Sequence, residues 1–129
     1  MAIAYWCILI AAVLPYVWIG VGKSATRGYD NRDPRGWVAK QSNPRTQRGN
    51  AAHLNAFEAF APFAAGVLMA QAAGIDPGRI TALAVAFIVF RLLHGVFYLA
   101  DRHLLRSSAW AGGIGCVLAL MVQAALRVG

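Results

Sequence analysis

Acidic residues are scarce in this chain. Only five of its 129 residues are Asp or Glu, against twelve Lys and Arg, for a formal net charge of +7. Cysteine is scarcer still. Cys7 and Cys116 both fall inside apolar runs, with no CxxC pair, which excludes a disulfide framework and a thiolate metal site; both read as small packing residues. The three histidines, His53, His94 and His103, are far apart and lack the HExxH spacing, so no metal is expected. A Ser-His-Asp set with a nucleophile elbow is missing. Gly112, Gly113 and Gly115 lie within an apolar run with no strand before them, which excludes a phosphate-cradling loop.

Apolar sequence is abundant. Hydrophobic residues make up 59% of the chain and the mean hydropathy is +0.53, a balance found in polytopic membrane proteins rather than soluble domains. The basic residues cluster between apolar runs instead of spreading over a wettable surface, so a nucleic-acid partner is not expected.

Four stretches approach the roughly 20 residues needed to cross a bilayer: residues 2–22, 49–74, 80–99 and 107–126. The first carries no charge and no basic leader, and its apolar run is too long for a secretory signal core, so it reads as an uncleaved helix. Pro15 should kink it or free one backbone carbonyl that a neighbouring helix covers. The second is the least apolar, holding His53, Asn55, Glu58 and Gln71. Lys23, Arg27, Arg32, Arg35, Lys40, Arg45 and Arg48 crowd the first connection, which Gly28, Pro34, Gly36 and Pro44 mark as irregular. Arg102 and Arg106 fall in the third connection, while the second offers only Asp76 and Arg79 around a Pro-Gly turn. Positive-inside bias then puts the basic first loop and the third connection in the cytoplasm and both termini outside. The expected fold is an all-α integral membrane protein, a single domain (1–129) built as a four-helix bundle.

The polar residues inside the spans converge. Arg91, His94 and Tyr98 follow i, i+3, i+7 spacing and share a helix face, as do Asn55 and Glu58, with Arg48 nearly in line. At about 1.5 Å of rise per residue, Glu58 and Arg91 both lie about 12–14 Å inside the cytoplasmic boundary. A carboxylate at that depth needs a partner, and Arg91 is the candidate. Two readings stay open: an ion pair that locks the bundle with Asn55 and His94 as interhelical glue, or a polar cleft opening to the cytoplasm. Ala111, Gly112, Gly113, Gly115 and Ser108 suit close helix approach, and Trp110, Tyr5 and Trp6 read as interfacial anchors.

Three motifs in order, Arg48-GNAAHL-Asn55-AF-Glu58 with Pro62 after it, Arg91-LL-His94-GVF-Tyr98, and Arg106-Ser107 opening the last span, resemble the membrane-associated proteins in eicosanoid and glutathione metabolism (MAPEG). Tyr29-Asp30-Asn31 and Pro34-Arg35 make the chain most similar to the small bacterial branch. The resemblance implies a homotrimer, in a bacterial inner membrane, binding glutathione between neighbouring subunits. It implies Arg106 as stabiliser of the thiolate, Ser107 as an assisting hydroxyl, and Arg48, Asn55, Glu58, Arg91, His94 and Tyr98 as glutathione-binding residues. The implied activity is a glutathione transferase or peroxidase acting on hydrophobic electrophiles or lipid hydroperoxides drawn from membrane lipids. The alternative is a non-catalytic lipid- or partner-binding scaffold of the same fold. Ala51 and Leu54 stand where the eicosanoid synthases carry arginines, so eicosanoid substrates are not implied.

Overall fold

The computed structural model describes residues 1–129 and is all-helical. Helix α1 spans Ala2–Ser24, α2 Pro34–Ala39, α3 Pro44–Ala72, α4 Pro77–Leu99 and α5 His103–Val128. Of these, α1, α4 and α5 are long and apolar enough to cross a membrane. Helix α3 has the length but carries Arg45, Arg48, His53, Asn55 and Glu58.

The helices begin where local chemistry starts them, not where hydropathy does. Pro44 opens α3 behind Asn43, whose side chain accepts from the Arg45 amide, and Pro77 opens α4 behind Asp76, which accepts from the Arg79 amide. Proline at the first turn surrenders no hydrogen bond, and an Asx side chain covers an orphan N–H. Both starts therefore precede the expected boundaries of 49 and 80, and α5 likewise starts at His103 instead of 107. Hydropathy registers the apolar stretch alone. The first connection, expected to be irregular throughout, contains α2, capped by Asp33 accepting from the Gly36 amide at 3.0 Å.

Helix α3 packs against every other helix, most extensively α1, while α4 packs chiefly on α5. The contact that sets the α1–α3 crossing is backbone on backbone. A methyl group on Gly49 would lie 2.8 Å from the Gly22 nitrogen and 3.0 Å from the Trp18 carbonyl oxygen, closer than packed atoms tolerate. Beside it, the Trp18 indole occupies the space that a side chain at residue 95 would need, so Gly95 admits α4. Pro15 leaves α1 unbroken in its helical assignment. The only side-chain bond there goes to the carbonyl of Pro15 itself, from His53 Nδ1 at 2.8 Å, and not to the carbonyl one turn earlier that the proline frees.

Two apolar clusters follow. Leu14, Trp18, Ala52 and Ala56 form a small one toward the basic end. The larger fills the rest of the bundle around Phe63 and Phe87, whose rings stack 3.9 Å apart at 7°. Tyr5 donates to Gln71 Oε1 near the far end. Cys7 and Cys116 are both buried and free, as packing residues should be.

Gly49→Ala is therefore expected to lower stability by about 1–3 kcal/mol, the usual cost of overpacking. Gly22→Ala should cost less, because its added methyl would meet Gly49 and Thr46 no closer than 3.1 Å. Thermal unfolding in detergent, followed by helical circular dichroism, checks the order of the two.

Candidate functional site

The polar set sits where α3, α4 and α5 meet. Helix α4 presents Arg91 and His94, each only 3% exposed, one turn apart on its inner face. Arg91 Nη2 donates to Asn55 Oδ1 at 2.8 Å, and Asn55 Nδ2 donates to Glu58 Oε2 at 3.3 Å. This corrects the expected direct pairing of Glu58 with Arg91, which do not form a salt bridge. Asn55 stands between them as an amide relay. A guanidinium can only donate and a carboxylate can only accept, so an amide facing both must turn its oxygen to Arg91 and its nitrogen to Glu58. It also corrects the expected burial. Glu58 lies on an exposed face of this single chain.

Toward the basic end, His94 stacks edge-on against Tyr98 at 5.5 Å between ring centroids. The Arg106 guanidinium carbon lies 4.5 Å from the Tyr98 ring centroid, a cation–π distance. His94 Nδ1 is buried without a hydrogen-bond partner.

Two adjoining cavities of about 230 Å³ each run along this surface. Asn55, His94, Tyr98, Arg106 and Ser107 line one; Asn55, Glu58 and Arg91 line the other, with Pro62, Phe87, Gly113, Ile114 and Val117 as apolar wall. Asn55 and Trp110 border both. Seven of the eight residues read from the sequence thus line this pair of adjoining cavities.

The eighth does not. Arg48 pairs with Asp101, Nη2 to Oδ2 at 2.8 Å, on the connection between α4 and α5, and lines neither cavity. Sequence reasoning also missed Trp110, taken for an interfacial anchor, although it follows Arg106 by four residues and so shares its helix face. It missed Asp101 altogether.

Of the five acidic side chains, four are occupied in structure. Asp33 and Asp76 cap helices, and Asp101 holds Arg48. Asp30 takes two bonds from the Arg32 side chain, which hold its carboxyl below the usual carboxylate range. Glu58, by contrast, neither caps a helix nor pairs with a cation; it receives a 3.3 Å bond from the neutral Asn55 amide and is otherwise open. The cleft thus offers one open acceptor of positive charge, Glu58, and two cations at its cavity walls, Arg91 and Arg106.

The fold and this cleft define an all-helical integral membrane protein with a polar pocket among its helices. The family model of the MAPEG family matches residues 3–126, and the chain belongs to that family, a group of membrane proteins of glutathione and eicosanoid metabolism. Nothing among curated proteins or solved structures matches the chain.

Asn55→Ala is expected to remove the acceptor of the buried Arg91 donor and to cost about 1–3 kcal/mol, the range for stranding a buried polar group. Glu58→Gln, on the open face, should cost far less. Chemical or thermal unfolding of the two variants in one detergent provides the comparison.

Proposed function

We propose that the protein is a glutathione-dependent membrane transferase or peroxidase, acting on hydrophobic electrophiles or lipid hydroperoxides that reach the cleft from the bilayer. The observation that carries this reading is Arg106 over Tyr98 at the wall of a cavity that also holds Ser107. A thiol becomes a competent nucleophile as its thiolate, and an adjacent guanidinium favours that form. Glutathione offers one thiol, one ammonium and two carboxylates. In this assignment Arg106 faces the thiolate and Ser107 assists it, Glu58 receives the ammonium, and Asn55, Arg91, His94 and Tyr98 shape the remainder of the tripeptide site. Arg48 is left out of the ligand set because Asp101 already engages it. The apolar walls formed by Phe87, Ile114 and Val117 suit a hydrophobic co-substrate beside the thiol.

The same reading makes α3 a fourth membrane span, with the basic connection in the cytoplasm and both termini outside, in a bacterial inner membrane. Further support comes from Glu58, because an exposed carboxylate on a membrane helix is costly against lipid. A homotrimer whose neighbouring subunit covers that face, with ligand bound between, removes the cost. A purely structural scaffold has no use for an exposed Glu58 or for a cation held at a cavity wall.

Detergent-purified protein is expected to turn over 1-chloro-2,4-dinitrobenzene or a lipid hydroperoxide with glutathione. Arg106→Ala should lower kcat by about 10²-fold or more, the cost of losing one charge-stabilising donor. Glutathione at about a hundred times its Kd should also raise stability by about 2.7 kcal/mol. A thermal shift without turnover toward any electrophile would leave binding but remove the catalytic assignment. Neither effect would leave the non-catalytic scaffold.

A further inference from the structure

The connection between α4 and α5 is only three residues long, Ala100 to Arg102. At its centre Asp101 has φ 58°, making it the one non-glycine residue with positive φ. L side chains take that conformation reluctantly, Asn and Asp least so. The Asp101 amide donates to the Tyr98 carbonyl at 3.2 Å and the Arg102 amide to the Phe97 carbonyl at 2.9 Å, which closes α4. The Arg106 amide then donates to the Arg102 carbonyl at 2.9 Å, which opens α5. Tyr98 therefore sits in the last turn before the connection and Arg106 in the first turn after it. Their stacking at 4.5 Å depends on how tightly this hairpin is held. The hairpin's one ion pair is Asp101 Oδ2 with Arg48 Nη2 on α3, at 2.8 Å.

We propose that Arg48 and Asp101 are positioning residues, an ion pair that fixes the α4–α5 hairpin to α3 so that Arg106 stays over Tyr98 at the cavity wall. Arg48 thereby acts on the site through Asp101 and touches no ligand. The pair is partly exposed, with side chains 33% and 68% accessible, so its contribution to overall stability is small. Its effect is local: it holds the connection from whose two sides Tyr98 and Arg106 project, and a cation displaced by about an ångström loses much of its effect on a reacting atom. The consequence for turnover rests on the glutathione reading above, while the consequence for Arg106 geometry does not.

Two substitutions separate charge from backbone. Asp101→Asn keeps a residue that tolerates positive φ, and Asp101→Gly relaxes that conformation outright; both remove the ion pair. Arg48→Lys keeps a cation within reach. The first measurement needs no glutathione: the rate at which phenylglyoxal modifies Arg106, read by peptide mass spectrometry on the folded protein in detergent. Both Asp101 variants are expected to label at Arg106 at least about threefold faster than the native chain, as the guanidinium leaves its ring, and Arg48→Lys to label near the native rate. The second measurement is kinetic. Both Asp101 variants should lose about tenfold in kcat, whereas affinity for S-methylglutathione, which has no thiol to stabilise, changes less than about twofold.

Native labelling rates in both Asp101 variants would overturn the proposal, whatever happens to turnover. So would a silent Asp101→Gly beside an impaired Asp101→Asn, since that would assign the effect to backbone and not to charge. Faster labelling of the Asp101 variants, with a native protein that shows no glutathione turnover, would sustain the positioning pair and sink the catalytic assignment alone. Asp101→Gly relieves a backbone constraint, so it supplies a folded variant should Asp101→Asn fail to assemble.

Discussion

A guanidinium buried among apolar helices must find acceptors, and much of this structure is arranged around that requirement at Arg91. The residue is 3% exposed, and its hydrogen bond to Asn55 ties α4 to α3 at the level where the bundle changes from apolar to polar. Below that level Phe63 stacks on Phe87 within the larger apolar cluster. Above it lie His94, Tyr98 and Arg106. Leaving such a donor without an acceptor costs about 1–3 kcal/mol, so the relative placement of α3 and α4 is not free to drift.

Close backbone approach makes the bond reachable. Gly49 against Gly22 brings α3 onto α1, and Gly95 against Trp18 brings α4 onto the same helix. Helix α1 thus serves as a common template for the two helices that carry the polar relay. The association of helices in an apolar medium gains little from hydrophobicity and depends on close packing and hydrogen bonds. Both appear here at neighbouring positions: glycines set the separation of the helices, and Asn55 with Arg91 fixes their register.

Much of this was legible in the sequence, and the failures have a common cause. Spacing along a helix gives depth and face, and these suffice to bring Asn55, Glu58, Arg91, His94, Tyr98, Arg106 and Ser107 to one end of the bundle. Depth does not give reach. Glu58 and Arg91 were matched by level, but Asn55, one turn nearer the boundary on the same face, meets the guanidinium instead and leaves the carboxylate outside. Arg48 was assigned to the cleft by alignment with Asn55, yet a long side chain at a helix start can turn to whichever acid is near. That acid, Asp101, lies in a connection where hydropathy carries no information. The helix starts were missed for the same reason, since Asn43 and Asp76 act through backbone capping that an apolar profile does not register.

The scarcity of acid makes Glu58 informative. A chain with five carboxylates and a net charge of +7 has abundant cations to pair with each of them. Two of the acids saturate backbone amides at helix starts and two hold arginines in connections. All four act at the ends of the bundle, where water already screens them and a modest gain suffices. Glu58 is the only one within the bundle proper, and its one bond, from the neutral Asn55 amide at 3.3 Å, is the longest made to any of the five, although a carboxylate has about four acceptor positions. A group retained only to hold the helices together would be expected to bond Arg91 directly, because a charge-assisted pair is stronger than a relay through a neutral amide. Instead the amide accepts from Arg91 and leaves most of the carboxylate's capacity open. That division of labour, one residue accepting from the buried cation and another kept open beside it, fits a group that binds a cationic ligand better than one that locks a bundle.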